Sequence, residues 1–475
     1  MKKLKQFSVI LILLFLTGIL SSSITFAAGS ENSISSAIVV SPQTPVQEKE
    51  KAEEEIKFYE PYLKEEKHLE YTPDLRLVKV AYALIKARFV DEVDDEKFFS
   101  AMKDEVKKLL EQAGVDTRRL NLLPVDETFP ARAAIVFGKE VPEKLIYYAC
   151  IQGIPKGVDD EHTRVMEPSA YRALRELLDV KGFGGVGMAI DMTKEENQLF
   201  VVEVFEDTPA ERAGLKSGDW IMAIDGKSTR GITVREAQKA IRGKPGTKVV
   251  LTVKRKGEKK LLDLIPIRDH IIIHAIKPPE ILNQSIGYIK MRFFSNQTGR
   301  ELKKAINEIK EKGARALILD VRNNGGGYLD TAVDVSSQFL PGDADVVKVR
   351  DRYGRGRTYN SRGNKKFDLP MVLLVNRYSA SASEILAGCL KDYNIATIIG
   401  EKTFGKGSVQ TILDLEGPVL KITIQRFFTP KETVIDKVGI TPDIIIKLEP
   451  DRVSKPGDKQ IEKALEILEE KITKK

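Results

Sequence analysis

The second half of the chain alternates between short apolar stretches and longer amphipathic ones, and this alternation constrains the fold most strongly. The apolar stretches 286–289, 316–321 and 371–375 have the length and composition of buried strands. The stretches 299–312 and 383–390 have the length and spacing of helices. Because strands that alternate with helices form layered sheets covered by helices, we predict a layered α/β core.

The region before this core has a different periodicity. Residues 56–170 carry apolar positions at helical spacing, whereas short strand-like runs begin near residue 178. Two apolar stripes are predicted in the helical region, Leu77, Val80, Leu84 and Ala87, and Phe98, Met102, Val106 and Leu109. The chain therefore reads as a multidomain α/β protein with a helical N-terminal region.

The first 28 residues have the layout of a secretory signal. Lysines precede an apolar run from Phe7 to Leu20, and small residues follow it. The run is short for a membrane span, and two alternatives stay open, cleavage near Ala27 or retention as an N-terminal anchor. Both place the body of the protein outside the cytoplasm, in the periplasm or at the cell surface.

Composition argues against a nucleic-acid-binding protein and against a disulfide-rich one. The net charge of +7 is small for 475 residues, and basic and acidic side chains are interleaved, so no nucleic-acid interface is expected. Cys150 and Cys389 are the two cysteines and lie far apart in sequence. Two cysteines make no disulfide framework, so free, buried thiols are expected.

Ser381 lies between a predicted strand and a predicted helix, in a run of small residues. At a helix N-terminus, backbone N–H groups and the helix dipole stabilise developing negative charge. A nucleophilic serine would suit this position. The alternative is a helix-capping serine paired with Glu384, three residues later.

Lys406 follows 25 positions after Ser381 and is flanked by Gly405 and Gly407. A lysine can act as a general base when burial lowers its pKa from about 10.4 towards 7. Residues 400–406 also match the start of a P-loop, but Gly407 replaces the hydroxyl that would hold magnesium, and a strand-like stretch follows. These departures argue against nucleotide binding.

Two further motifs could assist Ser381 and Lys406. They are Gln410 and the turn Arg322-Asn-Asn-Gly-Gly-Gly-Tyr328. If the loop after Lys406 continues as a strand, Gln410 projects to the same face and can orient the lysine amine. The three glycines expose backbone N–H groups that can stabilise an oxyanion when they face the nucleophile. Without that apposition, they form an ordinary flexible turn.

A further glycine-rich loop, Gly182–Gly187, precedes the strand-like stretch 188–190. Such a loop can bind a terminal carboxylate while the strand pairs with a peptide. Together with the downstream stretches 208–215, 217–221 and 243–247, it resembles a PDZ domain.

Taken together, these motifs resemble the C-terminal processing (tail-specific) proteases, a Ser/Lys peptidase family with an inserted PDZ module, over about residues 145–445. The resemblance implies a crotonase-like core and no metal or organic cofactor. It implies that Ser381 is the nucleophile, Lys406 the general base and Gln410 its orienting residue. It assigns the oxyanion hole to the N–H groups of Ala382 and Gly326, and the substrate C-terminus to Gly184, Gly185, Val186 and Gly187.

Some accounts of the family add an aspartate in a charge-relay role, and the matching position is Asp392. A structural carboxylate near a helix end is the alternative, since a nearby carboxylate would raise the pKa of the lysine. The sequence also departs from the family pattern at Gly325, where proline is usual, at 160–163, and in an unmatched helical insertion at 95–142. Gly325 loosens the turn and predicts an oxyanion hole that is unformed without substrate.

The resulting prediction is an exported serine endopeptidase that recognises apolar C-terminal tails of other proteins. The alternative is a non-catalytic PDZ scaffold. Further partners to consider are a regulatory or adaptor protein, a membrane tethered through the N-terminus, and a second copy of the chain. The predicted segments are a signal peptide or anchor (1–28), a linker (29–55), a helical region (56–175), a PDZ domain (176–269), a protease core (270–448) and a C-terminal helix (449–475).

Overall fold

A computed structural model describes residues 58–474 except 65–67, 180–181, 193–197, 364–366, 449–452 and 455. The predicted signal or anchor and the predicted linker lie outside the described residues. Within the described ranges, no helix is both long enough and apolar enough to cross a membrane. The described part combines a helical N-terminal region, a β-rich insert and a layered α/β core, so the predicted fold class is confirmed.

The N-terminal region is built from helices that pack around buried aromatic and aliphatic side chains. Its α-helices are α1 (Glu60–Leu63), α2 (Leu75–Arg88), α3 (Asp95–Gln112), α4 (Phe129–Phe137), α5 (Glu143–Gly153) and, after strand β1 (Arg164–Met166), α6 (Pro168–Leu178). Short 3₁₀ turns lie at Arg118–Leu122 and Ile154–Gly157. Aspartates cap α2 and α3, since Asp74 accepts the N–H of Leu77 and Asp94 accepts that of Glu96.

The predicted apolar stripe of α3 is confirmed, whereas that of α2 is only partly correct. All four residues of the stripe in α3 are buried. In α2 the buried residues are Leu77, Val78, Ala81 and Ile85, whereas Ala87 is exposed. The predicted stripe was therefore placed about one residue off. Helix α2 contacts both α5 and strand β18 (Val419–Phe428), and burial between these two neighbours sets its inner face.

The insert is a twisted antiparallel sheet with two helices. Its strands are β2 (Phe183–Gly185), β3 (Met188–Met192), β4 (Leu199–Val204), β5 (Trp220–Ile224), β6 (Lys227–Ser228), β7 (Leu251–Lys254), β8 (Leu262–Leu264) and β9 (Asp269–Ile271), and its helices are α7 (Pro209–Arg212) and α8 (Val234–Ile241). The main sheet has the order β3-β4-β5-β7-β8, with β6 paired to β5, while β2 pairs with β9. Strand β3 thus forms an edge of the main sheet, and α8 contacts it.

The core is centred on a six-stranded sheet of order β10-β11-β12-β15-β16-β19. These strands are β10 (Glu280–Leu282), β11 (Ile286–Lys290), β12 (Ala316–Asp320), β15 (Met371–Val375), β16 (Ala396–Gly400) and β19 (Ile444–Ile445). All neighbours are parallel except the pair β10–β11. Helices α9 (Thr298–Glu311), α10 (Leu329–Ser336) and α11 (Ala382–Asp392) cover one face, and the C-terminal helix α12 (Lys459–Thr473) covers the other. Because both faces are covered, the central strands are apolar over most of their length.

A second sheet joins the helical region to the core. It has the order β1-β18-β13-β14, with β17 paired to β18. Its other strands are β13 (Asp345–Arg350), β14 (Gly356–Asn360) and β17 (Ser408–Asp414). Leu420 and Ile422 of β18 pack among the N-terminal helices, whereas Phe427 at its other end packs in the core. This sheet places segments from the helical region next to the loop that carries Lys406.

Candidate active site

Ser381 occupies a strained turn between β15 and α11. It is the N-cap residue of α11, with φ of 54° and ψ of −107°, and it is 2% exposed. A non-glycine residue at positive φ costs about 1–3 kcal/mol and persists where the surroundings impose it. The turn holds the serine at the N-terminal end of a buried helix, where the N–H groups of the first turn favour negative charge.

The triple-glycine turn lies directly against this serine. A Cβ atom built on Gly326 would lie 2.7 Å from the carbonyl oxygen of Ala380, 2.9 Å from the nitrogen of Ala382 and 3.1 Å from Cβ of Ser381. Gly326 also has φ of 98°. Only glycine fits this approach, so the apposition required for an oxyanion hole is present.

The two predicted oxyanion donors differ in availability. The N–H of Ala382 has no hydrogen-bond acceptor among the described residues. The N–H of Gly326 instead donates to Oδ1 of Asn324 at 2.9 Å. One of the two donors is therefore occupied in this structure, and the hole is not fully open.

Asn324 is a residue whose role the sequence analysis did not identify. It is fully buried, and its carbonyl oxygen accepts the N–H of Ala380 and the hydroxyl of Ser383. Its side-chain amide donates to the carbonyl of Met291. Asn324 thus fixes the triple-glycine turn to the turn of the nucleophile, and its place beside the glycines was the signal available in the sequence.

Lys406 lies buried beneath the surface of the site. It is 1% exposed, and its Nζ has no hydrogen-bond partner among the described residues. Burial, followed by the positive charge of Arg164, lowers the pKa of Lys406 to about 7. Gly407 allows this placement, because a Cβ there would lie 2.1 Å from the backbone nitrogen of Asp436.

No hydrogen bond joins Ser381 and Lys406 in this structure. The amine of Lys406 is unpartnered within the described chain, so the proton-transfer contact is not made at rest. Glu384 accepts the backbone N–H groups of both residues, and a buried amine that is partly neutral near pH 7 can serve as a general base once it reaches the serine hydroxyl.

Glu384 connects the segments that carry the two residues. Its Oε2 accepts the N–H of Ser381 and that of Lys406, each at 2.8 Å. Its Oε1 accepts the hydroxyl of Thr403 at 2.6 Å and the N–H of Gly405 at 2.7 Å. The sequence suggested only a local cap for this side chain, yet it also anchors a loop about 20 residues away.

Gln410 faces the same buried region but does not contact the lysine amine. It is 1% exposed, and its Nε2 donates to Ser408 and Thr423. Its Oε1 has no partner among the described residues. This oxygen and the Lys406 amine are both buried and unsatisfied, which is costly unless a shift of one side chain joins them.

Asp392 is remote from these residues. It ends α11, about 16 Å along the axis from Ser381 at 1.5 Å per residue. Its Oδ2 accepts the backbone N–H of Lys431. The carboxylates that act on the pKa of Lys406 are those of Asp160, Glu384 and Asp436. The structure therefore does not bring Asp392 together with the nucleophile or the lysine.

The glycine-rich loop of the insert is held at several carbonyl groups. The carbonyl of Gly184 accepts the N–H of Gly243, that of Val186 accepts the N–H of Ala210, and that of Gly187 accepts the hydroxyl of Thr208. Gly185 ends β2, where it pairs with β9. The loop is thus fixed next to the free edge of β3, which can accept an added strand.

Two other features bear on the chemistry. Cys150 and Cys389 are both buried and free. Among the residues that the structure describes, no cluster of three or more His, Cys, Asp or Glu side chains could hold a metal ion.

Comparison with known proteins yields a consistent set of matches. Residues 285–446 match the model of peptidase family S41, and residues 200–255 match a PDZ domain. The chain is 37% identical over 318 residues to a carboxyl-terminal-processing protease of Picosynechococcus, covering 66% of this chain and 76% of that protein. It is 40% identical over 296 residues to a carboxy-terminal-processing protease of Bartonella bacilliformis, covering 61% and 67% respectively. A putative S41 protease from Bacteroides fragilis has a similar fold, with a TM-score of 0.50, 16% identity, and coverage of 85% of this chain and 99% of that one.

Proposed function

Because the chain belongs to the carboxyl-terminal-processing proteases of peptidase family S41, we propose that it is an exported endopeptidase that cleaves proteins after binding their apolar C-terminal tails. In this proposal Ser381 is the nucleophile and Lys406 is the general base. The observation that best supports it is the Lys406 amine, which is buried, unpartnered among the described residues, and has a pKa of about 7.

The proposed reaction begins when the neutral amine of Lys406 accepts the proton of the Ser381 hydroxyl. The serine oxygen attacks the scissile carbonyl carbon, and the N–H groups of Ala382 and Gly326 stabilise the oxyanion that forms. The lysine ammonium then donates its proton to the departing amine as the C–N bond breaks. Water, deprotonated by Lys406, finally hydrolyses the acyl-enzyme and frees the serine.

Assembly of this machinery requires two local changes. The amine of Lys406 must approach Ser381, and the N–H of Gly326 must turn away from Asn324. The unpartnered Oε1 of Gln410 supports its proposed orienting role, because it can accept an N–H of the lysine in the assembled state. The predicted lack of an open hole at rest agrees with the bond between Gly326 and Asn324.

The proposed tail site is the groove between β3 and α8, closed by the loop 184–187. Strand β3 offers an unpaired edge for main-chain hydrogen bonds. Met188, Ile190 and Val234 are partly buried apolar residues on these elements, which supports a preference for apolar tails. The backbone N–H groups of the loop would bind the terminal carboxylate.

A hydrogen bond between the oxyanion turn and the segment that leads to the insert supports coupling of tail binding to catalysis. Tyr328, which follows the three glycines, donates its hydroxyl to Asp179 at 2.6 Å, and Asp179 immediately follows α6 on the way to the insert. The side chain of Asn296 also donates to the carbonyl of Asp179. Movement of the insert would therefore act on the turn that contains Gly326.

The proposed export rests on the N-terminal pattern of lysines, an apolar run and small residues. The segment would be either cleaved or kept as a membrane tether. A regulatory protein or a second copy of the chain stays a proposed partner by analogy with the family. Fractionation of cells that express the full chain tests export, since recovery in the cytoplasm alone would contradict it.

The decisive experiment for the function uses a reporter protein with an apolar tail and the same reporter with a charged tail. The full chain should cut only the first, while Ser381→Ala and Lys406→Ala should bind its tail without cutting it. Binding without cleavage by the unmodified chain would support the scaffold instead.

A further inference from the structure

The side-chain amide of Gln410 is held at one end and free at the other. Its Nε2 donates to the hydroxyl oxygen of Ser408 at 2.9 Å and to that of Thr423 at 3.1 Å. Its Oε1 has no partner among the described residues. All three residues are buried, and an unsatisfied buried oxygen is costly. The two contacts at Nε2 therefore hold the amide in an orientation that the fold alone does not favour.

An irregularity in strand pairing places Thr423 beside Gln410. Val409 of β17 lies opposite Gln425 of β18. The next residue of β17, Gln410, lies opposite Thr423, so the pairing skips Ile424. In an unbroken ladder Gln410 would lie opposite Ile424, whose side chain has no hydrogen-bonding group. Because directly opposed side chains share a face of the sheet, this β-bulge gives Gln410 a hydroxyl partner.

The backbone of Thr423 is fixed by the helical region. Its N–H donates to the hydroxyl oxygen of Thr163 at 3.1 Å, and its carbonyl accepts the N–H of Val90 at 3.0 Å. The hydroxyl of Thr163 in turn donates to Oδ2 of Asp160 at 2.6 Å. Residues 160–163 are a stretch in which the sequence departs from the family pattern. Their contacts help to keep the Thr423 hydroxyl in its place beside Gln410.

The two acceptors determine which end of the Gln410 amide is available. An amide nitrogen has two hydrogens, and the hydroxyl oxygens of Ser408 and Thr423 can accept one each. The end that remains is Oε1, which can only accept a hydrogen bond. A lysine amine has N–H groups to donate in both its neutral and its protonated form. The free oxygen of Gln410 therefore suits the amine of Lys406, whose Nζ is also unpartnered among the described residues.

We propose that Thr423 is a positioning residue, whose hydroxyl holds the amide of Gln410 so that Oε1 can accept an N–H of Lys406 and orient that amine towards Ser381. The inference rests on the proposed roles of Lys406 as base and of Gln410 as its orienting residue. It assigns a function to the bulge in β18 and to the contacts that the helical region makes with Thr423.

The test removes the hydroxyl and keeps the shape of the side chain, Thr423→Val. The Gln410 amide then loses one of its two acceptors and can turn, so kcat for a tailed peptide should fall by about tenfold while KM stays unchanged. Thr423→Ser keeps the hydroxyl and should retain kcat within about twofold of the unmodified chain. The rate at which a fluorophosphonate probe modifies Ser381 should fall in Thr423→Val by the same factor as kcat, because this reaction needs the base but no bound tail.

A double-mutant cycle separates positioning from a general loss of structure. Gln410→Met removes the amide at similar length and should reduce kcat by at least as much as Thr423→Val does. Adding Thr423→Val to Gln410→Met should cause no further loss, because the group that Thr423 positions is gone. The matched control is Thr411→Val, the same replacement at a buried position next to Gln410 on β17. Its side chain points to the opposite face of the sheet, so kcat should stay unchanged.

The outcomes distinguish this inference from the proposed function. Normal kcat in Thr423→Val contradicts the role of Thr423, as do equal losses from this substitution with and without the Gln410 amide. Failure of both Thr423→Val and Thr423→Ala to fold would make the hydroxyl structural and contradict it as well. Full activity of Gln410→Met contradicts the orienting role of Gln410 and with it this inference, whereas full activity of Lys406→Ala contradicts the proposed base. Impaired Thr423→Val, rescue by serine and no additivity with Gln410→Met support the positioning role.

Discussion

Glu384 accepts the backbone N–H of Lys406 at 2.8 Å, although the two residues belong to different segments 22 positions apart. The same carboxylate oxygen accepts the N–H of Ser381. The positions of the nucleophile and of the proposed base therefore depend on one buried side chain. Burial raises the pKa of Glu384, and the four donors offset part of this effect.

Replacing Glu384 with glutamine should reduce activity strongly while the fold survives. An amide has one acceptor oxygen, so its NH₂ group would face two donors and leave them unsatisfied, at about 1–3 kcal/mol for each buried group. We expect kcat to fall by at least about tenfold and the free energy of unfolding to decrease by about 2–6 kcal/mol. Denaturant unfolding and tailed-peptide hydrolysis measure the two effects. Glu432→Gln at the exposed surface is the control, and equal effects of the two substitutions would contradict the role of Glu384.

The strain at Ser381 should be visible in variants that abolish activity. Glycine tolerates φ of 54° and alanine does not, so Ser381→Gly should be more stable than Ser381→Ala by about 1 kcal/mol. Thermal unfolding of the two inactive proteins measures this difference. Within the same helix, Ala387→Gly should lower the stability, because glycine is the poorer helix former. A Ser381→Ala protein that is the more stable of the pair would show that the turn is unstrained.

Gly326→Ala should impair the oxyanion hole. Its Cβ would press on the backbone of Ala380 and Ala382 at 2.7 and 2.9 Å, so the two turns must separate. Loss of an oxyanion donor costs about 10²–10³ in kcat, and we expect a decrease of this size with tail binding retained. Gly342→Ala, where an added Cβ meets nothing within 4 Å, is the matched control. Unchanged kcat in Gly326→Ala would exclude this glycine from the site.

Asp392→Asn should leave activity within about twofold of the unmodified chain, because Asp392 bonds to the backbone of Lys431 and asparagine can accept the same N–H. A charge-relay role predicts instead a loss of several orders of magnitude. Steady-state hydrolysis of a tailed peptide distinguishes the structural role from the charge-relay role. A loss of several orders of magnitude with normal thermal stability would support the charge-relay role of Asp392.

Much of the fold follows from local pattern. The apolar run Met371–Val375 is a central strand as predicted, with the run at 316–320 as a parallel neighbour and the run at 286–290 on the far side of that neighbour. Short, uniformly apolar segments bounded by turns have few alternatives to burial between two layers of helices. Helix α2 shows the limit, since its buried face depended on neighbours that periodicity does not reveal.

The site residues also divide into those that local sequence motifs predict and those that depend on contacts in the folded chain. The position of Ser381 at a helix N-terminus and that of Lys406 between two glycines follow from local motifs. The approach of Gly326 to the serine turn is a contact between distant segments, and only the family resemblance implied it. The other contacts between segments distant in sequence were not predicted. The reach of Glu384 to the Lys406 loop depends on tertiary packing, since the two segments are 22 positions apart. The bond from Gly326 to Asn324 spans two residues, but the glycine motif did not reveal it.

The pH dependence of kcat/KM for a peptide with an apolar tail, measured for the unmodified chain and for Lys406→Ala, tests whether Lys406 is the general base. Activity of the unmodified chain should rise through about pH 7 as the Lys406 amine loses its proton. Lys406→Ala should lose about 10²–10⁴ in rate and should lack that rise. An equally active Lys406→Ala protein with the same pH profile would contradict the assignment of Lys406 as the base.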